Sequence, residues 1–399
     1  MLNFLRTRGA LALGVFLFGC SGSTSDAAST DDGATDGTTD GTTDDTASDD
    51  TGGADTGGGG DTSAVGDSVP GDTGGAGDTS GGDTGGDTGG GTDTGGGTDT
   101  GGATDTAAET PDGSVAPVLK YVWVVTMENH NWSSIKGSAS APYINKTLLT
   151  AHAHAEQYFN PPKLHPSEPN YIWMEAGDNL GITTDDEPAK NHQATTDHLV
   201  TKLQAAGVTW RSYQEDIDGT KCPTASAGLY AAKHNPMVFF DDVTSSSANC
   251  IAHVRPYSEL ASDLTAGKVA RYNFVTPNIC NDMHGETIGT TCPPILTDLI
   301  KRGDTWLSTE IPKIMASTEF KTAGVIFIVW DEGEGLLSTS DGPIGLLAIS
   351  PFAKVGYSNT IKYTHSSLLR TVQTILDVKP FIRDAAAAAD LGDLFKSFP

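Results

Sequence analysis

Beyond residue 118 the chain alternates two kinds of pattern. Five runs are apolar at nearly every position: LKYVWVVTM at 119–127, VTWRSY at 208–213, ARYNFV at 270–275, GVIFIVW at 324–330 and IGLLAIS at 344–350. Consecutive rather than alternate apolar positions, rich in β-branched and aromatic residues, predict strands buried on both faces. Between them, segments at 194–206, 256–266, 293–302, 305–318 and 365–376 repeat their apolar positions at helical spacing. AAG at 205–207, just before a strand run, reads as a helix stop. Buried strands separated by amphipathic helices predict an α/β fold with a mostly parallel sheet covered on both faces. Such sheets bind ligands beyond the carboxyl ends of their strands. Two predicted strands end abruptly in oxygen-bearing side chains there: Glu128-Asn129 after the first, and Asp331-Glu332 after GVIFIVW.

The first 115 residues follow neither pattern. MLNFLRTRGALALGVFLFGC, residues 1–20, has two arginines, an apolar stretch too short and interrupted to span a bilayer, and Cys20 directly after Gly19. It reads as a lipoprotein signal peptide with lipid attached at Cys20; an ordinary secretory signal is the alternative. Residues 21–115 are built from Asp, Thr, Gly, Ala and Ser, with runs such as GGDTGGDTGG, and have no Lys, Arg or aromatic residue. A segment with so little to bury is expected to be a disordered linker. It holds 20 aspartates and Glu109, so with the two signal arginines counted only eight of the 27 excess negative charges belong to residues 116–399. The acidity belongs to a self-repelling tether, says little about a substrate, and argues against nucleic acid as a partner. The expected location is therefore outside the cytoplasm, lipid-anchored at the cell surface or outer membrane, or else secreted.

The remaining 284 residues suffice for one large domain. They contain Cys222, Cys250, Cys280 and Cys292 with no CxxC pair, which favours two disulfides over thiolate zinc in an oxidising compartment. Of three pairings, the sequential one closes the shortest loops and is the expected one.

Candidate chemistry clusters at the strand exits. Carboxylates at Glu128, Asp331 and Glu332, with Asn129, suit a hard divalent cation, and Gly333 and Gly335 give the chain freedom to turn. LHPSEPNY at 164–171 fixes Ser167 between two prolines, beside His165 and Asn170. A hydroxyl held near a cation suits a nucleophile; a rigid polar surface loop is the bland alternative. YNFVTPNICNDMHG at 272–285 carries Asp282 and His284 out of another strand, KHNP at 233–236 adds His234 and Asn235, and YTHSS at 363–367 adds His365. No GxSxG, Walker or HExxH pattern occurs.

Taken in order, MENHNW, HPSEPNY, KHNP, TPNICNDMHG, GDTWLSTEIPKI, IVWDEGEG and THSSLLRT resemble the bacterial and fungal phosphoesterase family that includes acid phosphatases and phosphatidylcholine-type phospholipases C. The likeness runs over about residues 118–380. It implies an alkaline-phosphatase-like three-layer α/β/α sandwich and phosphate-ester hydrolysis. By the resemblance, Glu128, Asn129, Asp331 and Glu332 hold a divalent metal ion, Ser167 is the nucleophile that forms a phosphoserine, and His165, His234, Asn235 and Asp282 meet the substrate. His284 or His365 would protonate the leaving oxygen, provided its pKa stays near 6.5. Calcium, magnesium or manganese is favoured over zinc, because few histidines fall on ligand positions. The domain lacks the long extra segments of larger phospholipases C, which favours phosphomonoester hydrolysis. Phospholipase C or other diester cleavage is the first alternative, and a non-catalytic surface binding module the second. Trp132, Tyr171, Trp173 and Trp306 decide part of this: they either form an apolar approach for acyl chains or pack loops onto the sheet.

Overall fold

The computed structural model describes residues 119–162, 164–285, 292, 298–334 and 341–399. The signal peptide, Cys20 and the 21–115 linker lie outside the described residues, as does the first half of the helix expected at 293–302.

Among the described residues ten strands form: β1 Tyr121–Met127, β2 Ala153–Ala155, β3 Tyr158–Phe159, β4 Trp210–Gln214, β5 Val254–Pro256, β6 Tyr272–Thr276, β7 Gly324–Trp330, β8 Leu346–Ile349, β9 Ser358–Asn359 and β10 Tyr363–Thr364. Eight of them make one sheet in the order β5-β4-β6-β1-β7-β8-β2-β9, and β3 pairs with β10 separately. The five strands from β5 to β7 are parallel, and β8 runs antiparallel to both β7 and β2. The mostly parallel sheet is thus as expected, with one reversed strand that hydrophobic pattern alone does not reveal.

Six helices matter for the site: α1 Ser167–Ala176, α2 Leu199–Ala205, α3 Leu260–Thr265, α4 Leu299–Ala316, α5 Thr318–Ala323 and α6 His365–Ile375. They fall into two sets that pack among themselves, α1 with α2 and α6, and α3 with α4 and α5. Side chains of β1 sort the two faces. Trp123 meets Phe320 of α5, and Met127 reaches Gly303 of α4. On the opposite face Phe274 of β6 packs edge-on to Tyr171 of α1. Alternation along the strand then puts Val122, Val124, Thr126 and Glu128 on the α1 side. The sheet is the middle layer of three, and every residue from Val122 to Met127 and from Gly324 to Trp330 is buried.

Two segments differ from expectation for local reasons. The helix α4 is continuous through Gly303-Asp304, where the pattern suggests a break between 302 and 305. Gly303 is there for close packing: a Cβ would lie 2.4 Å from Met283 Cγ and 3.0 Å from Met127 Cε. Asp304 points inward and accepts hydrogen bonds from the backbone N–H groups of Tyr143 (2.9 Å) and Ile144 (2.8 Å). HPSEPNY is not a loop but the start of α1, with Pro166 as N-cap and Pro169 in the first turn, where a missing N–H removes no helical hydrogen bond. The cysteines pair sequentially, Cys222 with Cys250 and Cys280 with Cys292.

Candidate active site

The parallel register of β1 with β7 sets Met127 opposite Trp330, so Glu128 and Asp331 leave the sheet side by side. Backbone bonds carry the pairing one step further: Asp331 N donates to Met127 O (3.0 Å) and Glu128 N to Asp282 O (2.7 Å). Three loops from adjacent strands are thereby stitched together at their exits. Asn129 takes a left-handed φ of 24° and donates its backbone N–H to Asp331 Oδ1 at 3.1 Å. Gly333 does not need unusual dihedrals. It is required by space, since a Cβ would stand 2.6 Å from Asn131 Oδ1 and 2.8 Å from Asp341 Oδ1.

Ser167 opens α1 above this exit. Its hydroxyl donates to Glu128 Oε2 at 3.1 Å, while the Tyr171 hydroxyl, one turn along the same helix, donates to Oε1. Tyr171 stacks on His234 with centroids 5.1 Å apart. His234 Nε2 lies 3.2 Å from Glu128 Oε1 and Nδ1 lies 3.3 Å from Asp282 Oδ2. These are contacts rather than ion pairs. Burial first, then Lys233 and His284, holds the His234 pKa well below the usual value, and neither Nε2 nor Asp282 Oδ2 has a hydrogen-bond partner. Asp282 Oδ1 is occupied by the backbone N–H of His284 at 2.8 Å.

Negative charge is in excess here. Glu128, Asp282 and Asp331 are fully buried, and burial above all, reinforced by neighbouring carboxylates, Glu332 in the case of Asp331, raises all three carboxyl pKa values well above the usual range. Glu332 is raised too, by burial, against the pull of His165. Asp331 Oδ2, Asp282 Oδ2, His234 Nε2 and His284 Nδ1 are all buried without partners among the described residues. Ligand atoms of Glu128, His234 and His284 lie within 4.8 Å of one another. Inward-facing carboxylates with orphaned oxygens, beside two neutral imidazoles, fit a divalent cation. The set is mixed, however. Asp331 and Glu332 lie outside that close group, and Glu332 turns its Oε2 to His165 Nδ1 (2.8 Å) and Asn170 Nδ2 (3.0 Å). With two imidazoles beside Glu128, the shortage of histidines no longer counts against zinc.

Other sequence candidates are placed as follows. His165 is held between Glu332 and Asp341 Oδ2 (2.5 Å), and the Glu332 hydrogen bond, against a smaller opposing effect of burial, raises its pKa to about 9. Asn235 is fully buried, accepting from Ser212 Oγ (3.2 Å) and donating to the Tyr230 hydroxyl (3.0 Å). His365 is also fully buried: Nε2 is 2.6 Å from Asp331 O and Nδ1 is 3.0 Å from the Tyr158 hydroxyl. Both ring nitrogens face protein groups, so His365 secures the Asp331 backbone from behind. Burial lowers the pKa of His365, and likewise of His284, to about 4. The condition set for either as a proton donor near pH 6.5 is not met.

Reading residues one motif at a time misses Tyr171 as a hydrogen-bond donor, and misses Lys233 and Asp185. Lys233 Nζ pairs with Asp185 Oδ2 at 2.7 Å, and Asp185 Oδ1 accepts the backbone N–H of Glu168, the neighbour of Ser167, at 2.9 Å. Lys233 sits within the KHNP motif, so adjacency to His234 was the available signal. The four aromatic residues pack inward. Trp132 meets Trp330, Tyr171 and Trp306 are buried, and the Trp173 indole donates to Ser366 Oγ at 2.7 Å.

With this geometry in hand, residues 120–379 match the model of the Phosphoesterase family. The chain belongs to that family. The phosphoesterase is 28% identical over 263 residues to phosphatidylinositol-3-phosphatase of Mycobacterium tuberculosis, covering 66% of this chain and 78% of that protein. It is 24% identical over 267 residues to a probable acid phosphatase of Kluyveromyces lactis, covering 65% of this chain and 58% of the yeast protein. Its match thus spans little more than half the length of that relative. A solved structure of an alkaline phosphatase superfamily protein from Vibrio parahaemolyticus gives a TM-score of 0.46 at 10% identity, over 70% of this chain and 74% of the other. Family membership makes the protein a phosphoester hydrolase.

Proposed function

We propose that this phosphoesterase hydrolyses phosphate monoesters through a phosphoserine at Ser167. The observation that carries the reading is the Ser167 hydroxyl, buried at the first turn of α1 and donating to Glu128 Oε2 at 3.1 Å. Glu128 is a carboxylate whose burial favours taking up a proton. As Ser167 Oγ bonds to phosphorus, its proton passes to Glu128 and the ester P–O bond breaks. The departing alkoxide takes a proton from water. Water then displaces Oγ from phosphorus, one water proton going to solvent while Ser167 recovers its own from Glu128, and orthophosphate leaves. The positive end of α1 lies toward the phosphoryl charge throughout.

A divalent cation held by Glu128, Asp331 and the imidazoles of His234 and His284 would supply Lewis-acid screening of that charge. Asn129 supports the set by fixing Asp331 Oδ1, and Glu332 by holding His165 in its charged form. The inward packing of Trp132, Tyr171 and Trp306 supports monoesters over phospholipids, since those side chains are committed to the core.

The test is catalytic efficiency on a soluble monoester, a soluble diester and phosphatidylcholine micelles, with S167A as the blank. Highest efficiency on the monoester is expected. A micelle rate well above it, abolished in S167A, would replace the monoester reading with a phospholipase one.

Export with lipidation at Cys20 is part of the same proposal, and it leaves the 21–115 segment as a tether between membrane surface and enzyme. Among the described residues no helix is long and apolar enough to cross a membrane, which is compatible with anchoring by lipid. C20A should move the protein from the membrane fraction to the soluble one; unchanged fractionation with normal signal processing would refute lipidation.

A further inference from the structure

A cleft of about 480 Å³ opens beside Lys233, bounded by Asp185, Asp186, Glu187, Tyr230 and Ile279. Its inner end adjoins the catalytic groups through covalent and hydrogen-bonded neighbours. Lys233 precedes His234, whose Nε2 is buried, unpartnered and 3.2 Å from Glu128. Asp185 links Lys233 to the backbone of Glu168, next to Ser167. The Lys233 ammonium is mostly buried, its side chain 17% exposed, and its charge acts on Glu128, Asp282, Asp331 and Glu332. The outer wall has the opposite sign. Asp186 is partly neutralised by exposed Lys190, and among the described residues Glu187 accepts a backbone N–H, that of Ser226.

We propose that this cleft is the subsite for the alcohol portion of the ester, that Lys233 at its inner end binds the phosphoryl oxygens, and that the Asp186–Glu187 wall selects neutral or cationic alcohols. The assignment rests on the monoesterase reading and deepens it. At the inner end a doubly charged phosphoryl group meets the Lys233 ammonium. An alcohol extending across the cleft passes two carboxylates, so a second anionic group on the substrate would lie against like charge, with no cation besides Lys233 among the described residues lining the cleft. The volume suits a small alcohol, within the roughly 300–1,000 Å³ usual for ligand sites. Asp185 is the resident anion of the free enzyme, keeping the ammonium oriented until substrate oxygens share it.

The experiment measures kcat/KM of the full chain for phosphocholine, glycerol phosphate and phosphoglycerate, in wild type, K233M and D186N/E187Q, against S167A. Wild type should cleave the cationic and neutral esters roughly tenfold more efficiently than the carboxylated one at low ionic strength. D186N/E187Q, which alters only partly or fully exposed side chains, should narrow that gap several-fold by raising the phosphoglycerate value and lowering the phosphocholine value relative to neutral glycerol phosphate. K233M should lower all three by roughly a hundredfold, as expected for loss of one charge-stabilising group. A wild-type preference that D186N/E187Q leaves unchanged would overturn the wall assignment, and a folded K233M with wild-type efficiency would overturn the role of Lys233. Hydrolysis above the S167A blank with no ordering by charge removes this inference alone; no hydrolysis above the blank for any ester removes the monoesterase reading with it.

Discussion

Replacing His198 with glutamine tests how α1, the helix that carries Ser167, is held in place. Glu175 near the far end of α1, His198 just before α2, and Asp242 in the short helix Asp241–Thr244 form a charged triad. His198 is fully buried, with Nδ1 2.8 Å from Glu175 Oε1 and Nε2 3.0 Å from Asp242 Oδ1, and it stacks on Phe240 at 3.8 Å. Removing one member of a buried charged set costs about 3–5 kcal/mol, because the partners stay buried without compensation. Here Asp242 is 23% exposed and keeps the Thr201 hydroxyl, and Glu175 keeps the backbone N–H of Val200, so about 2–4 kcal/mol is the fitting range. For a domain of this size that corresponds to a Tm lower by roughly 5–15 °C. The pH dependence has a definite sign. Burial opposes protonation of His198, but Asp242 and Glu175 outweigh it and raise the pKa above 6.5. The contribution is therefore complete below about pH 6.5 and fades as pH rises through the folded-state value. Urea unfolding of wild type and H198Q between pH 6 and 9 should show a gap that is widest at the acid end and closes upward. A loss below about 1 kcal/mol at pH 6, or a gap that widens with pH, would refute the triad as an anchor.

Other outcomes are expected on the same footing. Tyr171→Phe keeps the stack on His234 and Phe274 but strips a donor from buried Glu128, so it should cost about 1.5–3 kcal/mol in urea unfolding, and an unchanged midpoint would contradict that bond. D331N and E128Q should each lower bound divalent metal and rate, and wild-type metal stoichiometry in both would remove these residues as ligands. A chain starting near Ala116 should melt cooperatively and turn over like the full chain, and loss of the cooperative melt would show that residues 21–115 contribute to folding.

The central layer was legible because strands buried on both faces need continuous apolar runs, and β1 and β7 have them. Strand direction was not, since β8 is as apolar as its parallel neighbours. β2 is only Ala153–Ala155, too short to show a period. Gly303-Asp304 resembles a helix break until Met283 and the Tyr143–Ile144 backbone arrive from distant parts of the chain to justify both residues. At the site, strand exits pointed to Glu128 and Asp331, and the register puts them side by side. What a motif cannot show is which polar atoms the fold has already used. Asn235 and His365 look available in sequence, yet Ser212, Tyr230, Tyr158 and Asp331 take up their hydrogen bonds. Conversely, the weight of Lys233 comes from tertiary neighbours, Asp185 above all.

The claim on which the mechanism stands is covalent phosphorylation of Ser167, and acid quenching during turnover of a soluble phosphomonoester measures it directly. Peptide mass analysis of the quenched wild-type enzyme should find one phosphoryl group on the segment containing Ser167, absent from S167A, whose turnover should fall to the blank. A wild-type enzyme that carries no phosphoryl group under conditions of rapid turnover and slowed dephosphorylation, or an S167A variant that hydrolyses the ester at the wild-type rate, would contradict the account.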